Sequence, residues 1–266
     1  MEKWIIKNSI IIFPEIEKKY NIKVAFTTRN GGVSTKPYDT LNISFKVNDK
    51  DVNVLENRKI VAKELGIELK DFVIGKQIHS CNYKIITEQE KGSGAFSYET
   101  GITNTDAFIT DIPFITLCVT VADCLPILIF DKNRRIISSI HSGWKGTFNN
   151  ILNVILEKLI DMGCNPSDLL IFLGPAINKC CFEVSSQLFK DFKNKYNYLD
   201  CFETRDNKCY VDIRKINRYI FINKGGRKEN IIDTDLCTYC NEKLFFSHRR
   251  DNGKTGRMFG IIQLNN

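Results

Sequence analysis

Short apolar runs alternate with helix-type spacing along the chain. Runs of β character predict strands at 23–28, 72–78, 105–111, 116–124, 136–141, 169–173, 244–247 and 257–264. Apolar residues at helical spacing predict helices at 54–65, 147–162, 184–196 and 211–223, several ending at glycine. Because strands and helices interleave without repeats, low-complexity tracts or a linker, the pattern predicts one α/β or α+β domain over residues 1–266.

Two interruptions of this pattern carry structural expectations. Pro126 lies inside an apolar run, so we expect that strand at a sheet edge or at a bulge. The polar, Gly-rich stretch from Glu88 to Thr105 is the longest without regular spacing, and it is the best candidate for a mobile flap, with a plain surface loop as the alternative.

Composition narrows the class of protein. The 266 residues are 43% hydrophobic and 26% charged, which is ordinary for a globular chain. The run Ile10 to Phe13 is too short for a signal-peptide core or a membrane span, so we expect a cytoplasmic protein with no membrane partner and read its ten cysteines as reduced thiols. The net charge of +7 is dispersed, which argues against nucleic-acid binding and suits a small phosphate-bearing substrate.

The candidate chemistry lies at the ends of predicted strands. His79, Cys124 and His141 each end an apolar run, where a pocket can open at a sheet edge. Their wide separation along the chain is unlike the paired ligands of a zinc finger and suits a catalytic zinc site with an open position for water or substrate. Asp123 would point to the opposite face of a regular strand, so we do not assign it a supporting role.

Other interpretations of these residues stay open. Cys124 could be a nucleophile with His141 as its base and no metal, or the three side chains could be plain structural residues. Cys237 and Cys240 form a C-x-x-C motif, but no second pair follows it, so a structural zinc has poor support. The adjacent Cys180 and Cys181 are expected to face the core, or their adjacency is a coincidence of composition.

Two basic turns are candidates for anion binding. Arg29 follows a predicted strand beside two glycines, and Arg249 lies in a basic, Gly-rich turn; from the sequence alone, a plain hairpin is the preferred explanation of each. The sequence contains no P-loop, dinucleotide fingerprint, HExxH or GxSxG motif, which removes the commonest nucleotide-hydrolase and α/β-hydrolase interpretations.

Taken together, seven motifs resemble the laccase-domain, or multicopper polyphenol oxidase-like, family, whose bacterial members are called YlmD or YfiH. The motifs are TTRNGGVS (27–34), KQIHS (76–80), TDAFIT (105–110), ADCLPILIFD (122–131), HSGWKGT (141–147), GPAINKCCFEV (174–184) and FFSHRRDNGKTGRMFG (245–260). They follow the family's order over nearly the whole chain.

The resemblance implies a four-layer α/β/β/α fold and a zinc site formed by His79, Cys124 and His141. It also implies phosphorolysis of adenosine, inosine and methylthioadenosine to the free base and a ribose 1-phosphate, together with adenosine deamination. Phosphorolysis needs a cationic clamp for phosphate, and our candidates are Arg29 first, then Lys145 and Arg249.

Alternatives within the resemblance remain. Some members are described as peptidoglycan-editing amidases that act on a nucleotide-linked muropeptide, which an activated water would also serve. Copper is reported for the family, but the three histidines of this chain are too few for a multicopper oxidase. His248 stands where relatives often have tyrosine, so it is not expected to be an obligatory ligand. A non-enzymatic, zinc-stabilised binding protein is the alternative from another class.

Overall fold

The computed structural model describes residues 4–197 and 199–266. Its strands are β1 (Ile5–Lys7), β2 (Ile10–Ile12), β3 (Ile22–Thr27), β4 (Phe72–Ile74), β5 (Tyr83–Ile85), β6 (Ala107–Thr110), β7 (Thr116–Val121), β8 (Leu125–Asp131), β9 (Ile137–Ser142), β10 (Leu169–Leu173), β11 (Glu183–Val184), β12 (Phe202–Arg205), β13 (Lys208–Val211), β14 (Ile231–Asp233) and β15 (Met258–Leu264). Its α-helices are α1 (Pro14–Tyr20), α2 (Asp51–Leu65), α3 (Trp144–Phe148), α4 (Ile151–Asp161), α5 (Ser186–Lys195) and α6 (Ile213–Asn223). Single 3-10 turns are formed by Leu69–Asp71, Glu88–Glu90, Pro166–Asp168 and Lys228–Asn230.

Two mixed sheets carry the fold. The first has the strand order β1-β2-β3-β15-β7-β4, and the second has the order β14-β10-β8-β9-β6-β5. Most neighbours are antiparallel, while the pairs β4–β7, β5–β6 and β10–β14 are parallel. A small antiparallel sheet, β11-β13-β12, extends from the second sheet's helical side.

The strands are apolar on both faces because each sheet is covered on both sides. In β8, Leu128 and Phe130 join the core between the two sheets, whereas Ile127 and Ile129 join a second core with α4 and α6. On the other side, Ala25 of β3 belongs to a third core with α2. The layers are therefore α/β/β/α, as the resemblance implied, and a one-residue register slip would exchange the two faces of any strand.

Most predicted elements are present with small shifts at their ends. The strands predicted at 23–28, 169–173 and 257–264 correspond to β3, β10 and β15. The predicted helix at 54–65 is α2, which begins at Asp51 and ends at Gly66 in the left-handed conformation, with φ 64°. The helices predicted at 184–196 and 211–223 are α5 and α6.

The strand predicted over 72–78 is too long. It ends at Ile74, and the next residues leave the sheet. The Gln77 side chain takes over the strand's pairing, since its Nε2 donates to the Thr120 carbonyl at 2.9 Å and its Oε1 accepts from the Thr120 amide at 2.7 Å. A side chain therefore satisfies the backbone of β7, and the chain is free to turn toward His79.

Two further boundaries differ from prediction. The helix predicted over 147–162 is divided into α3 and α4, because Asn150 adopts φ 64°, which no helix residue can. The strand predicted at 244–247 is irregular: the amide of Phe245 donates to Asn241 in a turn, and Phe245 and Phe246 are buried as core anchors.

Pro126 lies in a central strand, so the expectation of an edge or bulge was wrong. Strand β8 has β10 on one side and β9 on the other. The Pro126 carbonyl accepts from the Gly174 amide at 3.0 Å, and proline cannot return that bond. Arg214 Nη2 instead donates to the Gly174 carbonyl at 3.0 Å, so a guanidinium supplies the missing donor.

Within residues 4–197 and 199–266, no helix is long and apolar enough to span a bilayer.

Candidate functional site

His79, Cys124 and His141 come together at one end of the two sheets. His141 is the penultimate residue of β9, Cys124 ends the turn between β7 and β8, and His79 lies in the loop after β4. One ligand atom from each residue lies within 4.8 Å of the other two. The imidazole rings of His79 and His141 meet edge to face, with centroids 4.7 Å apart.

Asp106 holds both histidines in place. Its Oδ1 lies 2.8 Å from His141 Nδ1 and accepts the His79 amide at 2.9 Å. Its Oδ2 accepts both the amide and the hydroxyl of Ser80, at 2.9 and 2.8 Å. This carboxylate therefore orients the His141 ring, leaving Nε2 free to face the site, and it folds the His79 loop, in which His79 has φ 63°.

The charges of the group are mutually supporting. Burial raises the pKa of the Cys124 thiol, but the adjacent His141 and His79 outweigh burial and lower that pKa to about 6. Burial opposes the charged form of His141, while the Cys124 sulfur and the Asp106 carboxylate raise its pKa to about 9. Burial also raises the pKa of Asp106, yet the hydrogen bonds from His141 and Ser80 bring it down to about 2. Cys124, His141 and Asp106 therefore form a polarised cluster, in which the charged forms of neighbouring side chains favour one another.

Gly143 is required by close approach. A Cβ at this position would lie 2.8 Å from Cys124 Sγ and 3.2 Å from His79 Cδ2. Real Cβ atoms essentially never show the first distance, and the second is tighter than nine in ten Cβ contacts, so any other residue would push the sulfur or the ring aside. The glycine of the H-S-G-W motif is thus explained by the packing of the cluster and not by its own backbone conformation.

The cluster opens into a cavity of about 440 Å³, a size typical of small-molecule sites. Aromatic side chains on its wall are Phe45, Tyr98, Trp144 and Phe182. Basic side chains on its wall are Lys46, Arg58, His248, Arg249 and Arg257. The lining thus combines flat apolar surfaces, positive charge and the His/Cys cluster.

The three predicted clamp residues differ in position. Arg249 lines the cavity; its Nη1 donates to the Glu183 carbonyl at 2.7 Å, and its guanidinium lies 5.5 Å from the Phe182 ring centroid. Arg29 does not line the part of the cavity that the structure describes. Its Nε donates to the Asp39 carbonyl and its Nη1 to the Glu242 carbonyl, at 3.0 and 3.1 Å, so it ties loops together. Lys145 is exposed and lies against Trp144 at the cavity rim.

Asp123 has a supporting role that the regular-strand argument missed. It lies in the turn between β7 and β8 with φ 85°, so strand alternation does not apply to it. Its carboxylate accepts from Thr238 Oγ1 at 2.6 Å, from Ser247 Oγ at 3.1 Å and from the Arg249 amide at 2.7 Å. Asp123 therefore fixes the backbone of the basic turn next to Cys124.

Sequence reasoning also missed Asp106, Lys46 and Arg257. Asp106 lies within the TDAFIT motif, and a carboxylate at the start of an apolar run was the available signal. Arg257 is anchored by its Nη1 to the carbonyls of Thr255 and Gly256, and Lys46 Nζ donates to the Gln77 carbonyl at 3.3 Å. No local pattern distinguished these cations from the many others in the chain.

The Gly-rich stretch 88–105 folds against the body of the protein. The buried Arg58 guanidinium donates to the carbonyls of Gly94 and Ala95 at 2.5 and 2.7 Å, and burial lowers the pKa of Arg58 to about 9. Tyr98, near the tip of the stretch, reaches the cavity. Its position beside the site agrees with a flap, while its mobility stays a prediction.

Four of the cysteines outside the site also lie close together. Cys180, Cys181, Cys237 and Cys240 have their sulfur atoms within 4.8 Å of one another. Cys180 is exposed, so the expectation that the pair faces the core was wrong for this residue, whereas the half-buried Cys181 packs against the core of α4 and α6.

The fold and this site define a class: four-layer α/β/β/α proteins with a His/Cys/His cluster at a cavity between strand ends. The family model described as multi-copper polyphenol oxidoreductase laccase matches residues 23–265. The chain belongs to this laccase-domain family.

Relatives and solved structures agree with that assignment. Purine nucleoside phosphorylase YlmD of Bacillus subtilis (strain 168) is 34% identical over 240 residues, covering 89% of this chain and 86% of the relative. Adenosine deaminase RL5 of an unknown prokaryotic organism is 31% identical over 239 residues, covering 88% and 91%. Both are named as enzymes, so the family is one of enzymes.

The same architecture occurs in two solved structures. The hypothetical protein YfiH of Bacillus licheniformis superposes with a TM-score of 0.93 at 34% identity, covering 99% of this chain and 100% of that one. YlmD of Geobacillus stearothermophilus superposes with a TM-score of 0.94 at 27% identity, covering all of both chains. The predicted YlmD/YfiH-like fold is confirmed.

Proposed function

We propose that this chain is a zinc-dependent purine nucleoside phosphorylase that also deaminates adenosine. The observation that carries the proposal is the convergence of His79, Cys124 and His141 on a cavity that also has aromatic and basic walls. The names of the relatives support the substrate class.

The donor set fits zinc better than copper chemistry of the laccase type. Two imidazoles and a thiol whose pKa is lowered to about 6 offer the borderline-soft ligands that zinc prefers, and three protein ligands leave a position open. When bound by His79, Cys124 and His141, zinc would supply Lewis acidity and an activated water. The carboxylate of Asp106 would keep the His141 ring in the orientation that ligation needs.

The remaining groups of the cavity suit the two substrates. The flat faces of Phe45, Tyr98, Trp144 and Phe182 would stack on a purine base. Inorganic phosphate needs a cationic clamp, and among the proposed candidates Arg249 has the best position, with Arg257 and Lys46 as further cations on the same wall. Arg58 is less suited because its Nε and Nη1 already donate to backbone carbonyls.

A product assay with phosphate varied tests this function. Purified protein is incubated with adenosine, with and without phosphate, and the products are separated chromatographically. Phosphate-dependent release of adenine supports phosphorolysis, and phosphate-independent inosine alone would leave only the deaminase. Absence of nucleoside turnover together with cleavage of a muropeptide amide would replace the proposal with the amidase.

A metal-free Cys–His hydrolase is a second candidate, because the same contacts make Cys124 a thiolate beside a protonated His141. Metal analysis separates the two candidates. A hydrolase of this kind keeps full activity after metal is removed, whereas the zinc enzyme loses it and regains it when zinc is restored.

We also propose that residues 1–266 form one functional domain. Strand β3 from the beginning of the chain and β15 from its end are neighbours in the same sheet, with Gly260 opposite Phe26, which favours a single unit. The cytoplasmic location stays a prediction.

A further inference from the structure

The four-cysteine cluster is built from two loops that leave neighbouring parallel strands. Cys180 and Cys181 lie in the loop after β10, and Cys237 and Cys240 lie in the loop after β14. Because β10 and β14 are parallel, the loops that follow them begin at the same end of the two strands. The second pair of cysteines, which the C-x-x-C motif lacks downstream, is therefore supplied by two adjacent residues earlier in the chain.

The spacing of the sulfur atoms suits a shared cation. Tetrahedral coordination with Zn–S bonds of about 2.3 Å places ligand sulfurs about 3.8 Å apart. Cys180 Sγ and Cys240 Sγ are 3.7 Å apart, Cys181 Sγ and Cys240 Sγ are 3.3 Å apart, and all four lie within 4.8 Å. A disulfide would need about 2.05 Å, and the four cysteines are free thiols.

A backbone amide donates to one sulfur of the cluster. The amide of Asn178 donates to Cys237 Sγ at 3.5 Å. Amide donors on ligand sulfur are a recurrent feature of protein metal–thiolate sites. Cys180 and Cys240 are exposed, so apolar packing does not explain why their sulfurs meet those of Cys181 and Cys237.

The two loops also form part of the catalytic cavity. Ile177 and Phe182, on either side of the Cys180–Cys181 pair, line it. Thr238, next to Cys237, donates to Asp123 at 2.6 Å, and the amide of Ile177 donates to the Asp123 carbonyl at 2.9 Å. A link between the loops would therefore fix the turn that precedes Cys124.

We propose that Cys180, Cys181, Cys237 and Cys240 bind one zinc-type divalent cation in a second, structural site, distinct from the site of His79, Cys124 and His141. With four protein ligands this site is closed to substrate, which is the arrangement of structural zinc. Its role is to join the β10 and β14 loops and so to support the cavity wall.

Metal counting tests the second site without relying on the reaction. Protein purified under reducing conditions without chelator is examined by native mass spectrometry and elemental analysis. We expect two zinc ions per chain, one in Cys240→Ser, one in Cys124→Ala and two in the control Cys209→Ser, since Cys209 belongs to neither cluster. A single zinc that Cys240→Ser leaves in place would overturn the proposal.

Alkylation of the wild-type protein gives a result even where Cys240→Ser does not fold. Cys180 and Cys240 are exposed, so free thiols there would react rapidly with iodoacetamide. We expect peptide mapping to show both protected until a strong chelator is added, while the half-buried Cys209 is alkylated at a rate that the chelator does not change. Rapid alkylation without chelator, or a disulfide within the cluster, contradicts the second site. Protection persists even if no nucleoside is turned over, so this test and that of the proposed function fail independently.

Discussion

Two groups of metal-type ligands in this protein are built on opposite plans. The His79, Cys124 and His141 group mixes nitrogen and sulfur, draws on three distant segments and opens into a cavity. The group of Cys180, Cys181, Cys237 and Cys240 is all sulfur and joins two neighbouring loops. Three ligands at a cavity leave room for a reactant, whereas four thiols close the coordination sphere. Donor number and access therefore separate a candidate for chemistry from a candidate for structure.

The hydrogen-bond partners of the two groups also differ. Asp106 orients one histidine and folds the loop of the other, which gives the first group a fixed geometry. The second group has a backbone amide as its supporting donor. Precise orientation by a charged partner is what a reaction needs, while a link between loops needs only that the ligands meet.

The largest effect is expected from Cys124→Ala. A metal that contributes several kcal/mol to the transition state is worth about 1,000-fold in rate, so we expect nucleoside turnover to fall at least that far. The cysteine cluster should be unaffected, and circular dichroism and the melting temperature should stay near wild type. Cys209→Ala is the control with normal turnover. An unfolded Cys124→Ala protein would favour the non-enzymatic, zinc-stabilised alternative.

Gly143→Ala is expected to damage the first group without removing a ligand. The added Cβ would lie 2.8 Å from Cys124 Sγ, and a displacement of about 1 Å in a site can cost roughly 100-fold in activity. Elemental analysis should show less metal at this site and unchanged metal at the cysteine cluster.

Gly66→Ala is the matched control for that substitution. Gly66 has φ 64° and no atom within 4 Å of an added Cβ. It should lower stability by about 1 kcal/mol through backbone strain and leave kcat unchanged. Equal losses of activity in the two variants would show that a general loss of stability, and not contact with the cluster, explains the effect at Gly143.

Asp106→Asn is expected to have an intermediate effect. Loss of the carboxylate charge next to His141 should weaken metal binding and activity by about 10- to 100-fold, the usual cost of altering a ligand's hydrogen-bond partner. Metal affinity is measured by competition with a chromogenic chelator. The exposed Asp111, in the same segment, provides the control Asp111→Asn, which should bind metal normally. Equal affinity in both variants would contradict the orienting role.

Arg249→Ala should have the smallest effect and a selective one. A hydrogen bond from a charged group is worth about 1.5 to 3 kcal/mol, so we expect the KM for phosphate to rise by at least about 10-fold while phosphate-independent inosine formation changes little. Arg29→Ala is the comparison, because Arg29 links loops away from the described cavity lining. It should lower stability and leave the KM for phosphate unchanged; the reverse pattern would restore Arg29 as the clamp.

The spacing of apolar residues predicted a helix or strand well where burial of its apolar residues determines the structure. Helix α2 and strands β3, β10 and β15 follow their apolar spacing closely. The failures have particular causes: a side chain of Gln77 replaces ladder bonds of β4, Asn150 breaks the helix after Gly143, and Arg214 supplies the donor that Pro126 lacks. The replacements by Gln77 and Arg214 depend on partners far away in sequence, which periodicity does not contain.

The sequence by itself determined the interleaved α/β elements, the family motifs and the three residues of the first group, because these depend on residue type and on order along the chain. Only the tertiary structure decided that Asp106 supports both histidines, that Arg29 lies away from the described cavity lining and that Cys180 and Cys181 meet Cys237 and Cys240. The physical reason is that hydrogen bonds and metal ligation act over a few ångströms, and strand order alone determines which distant residues come within that range.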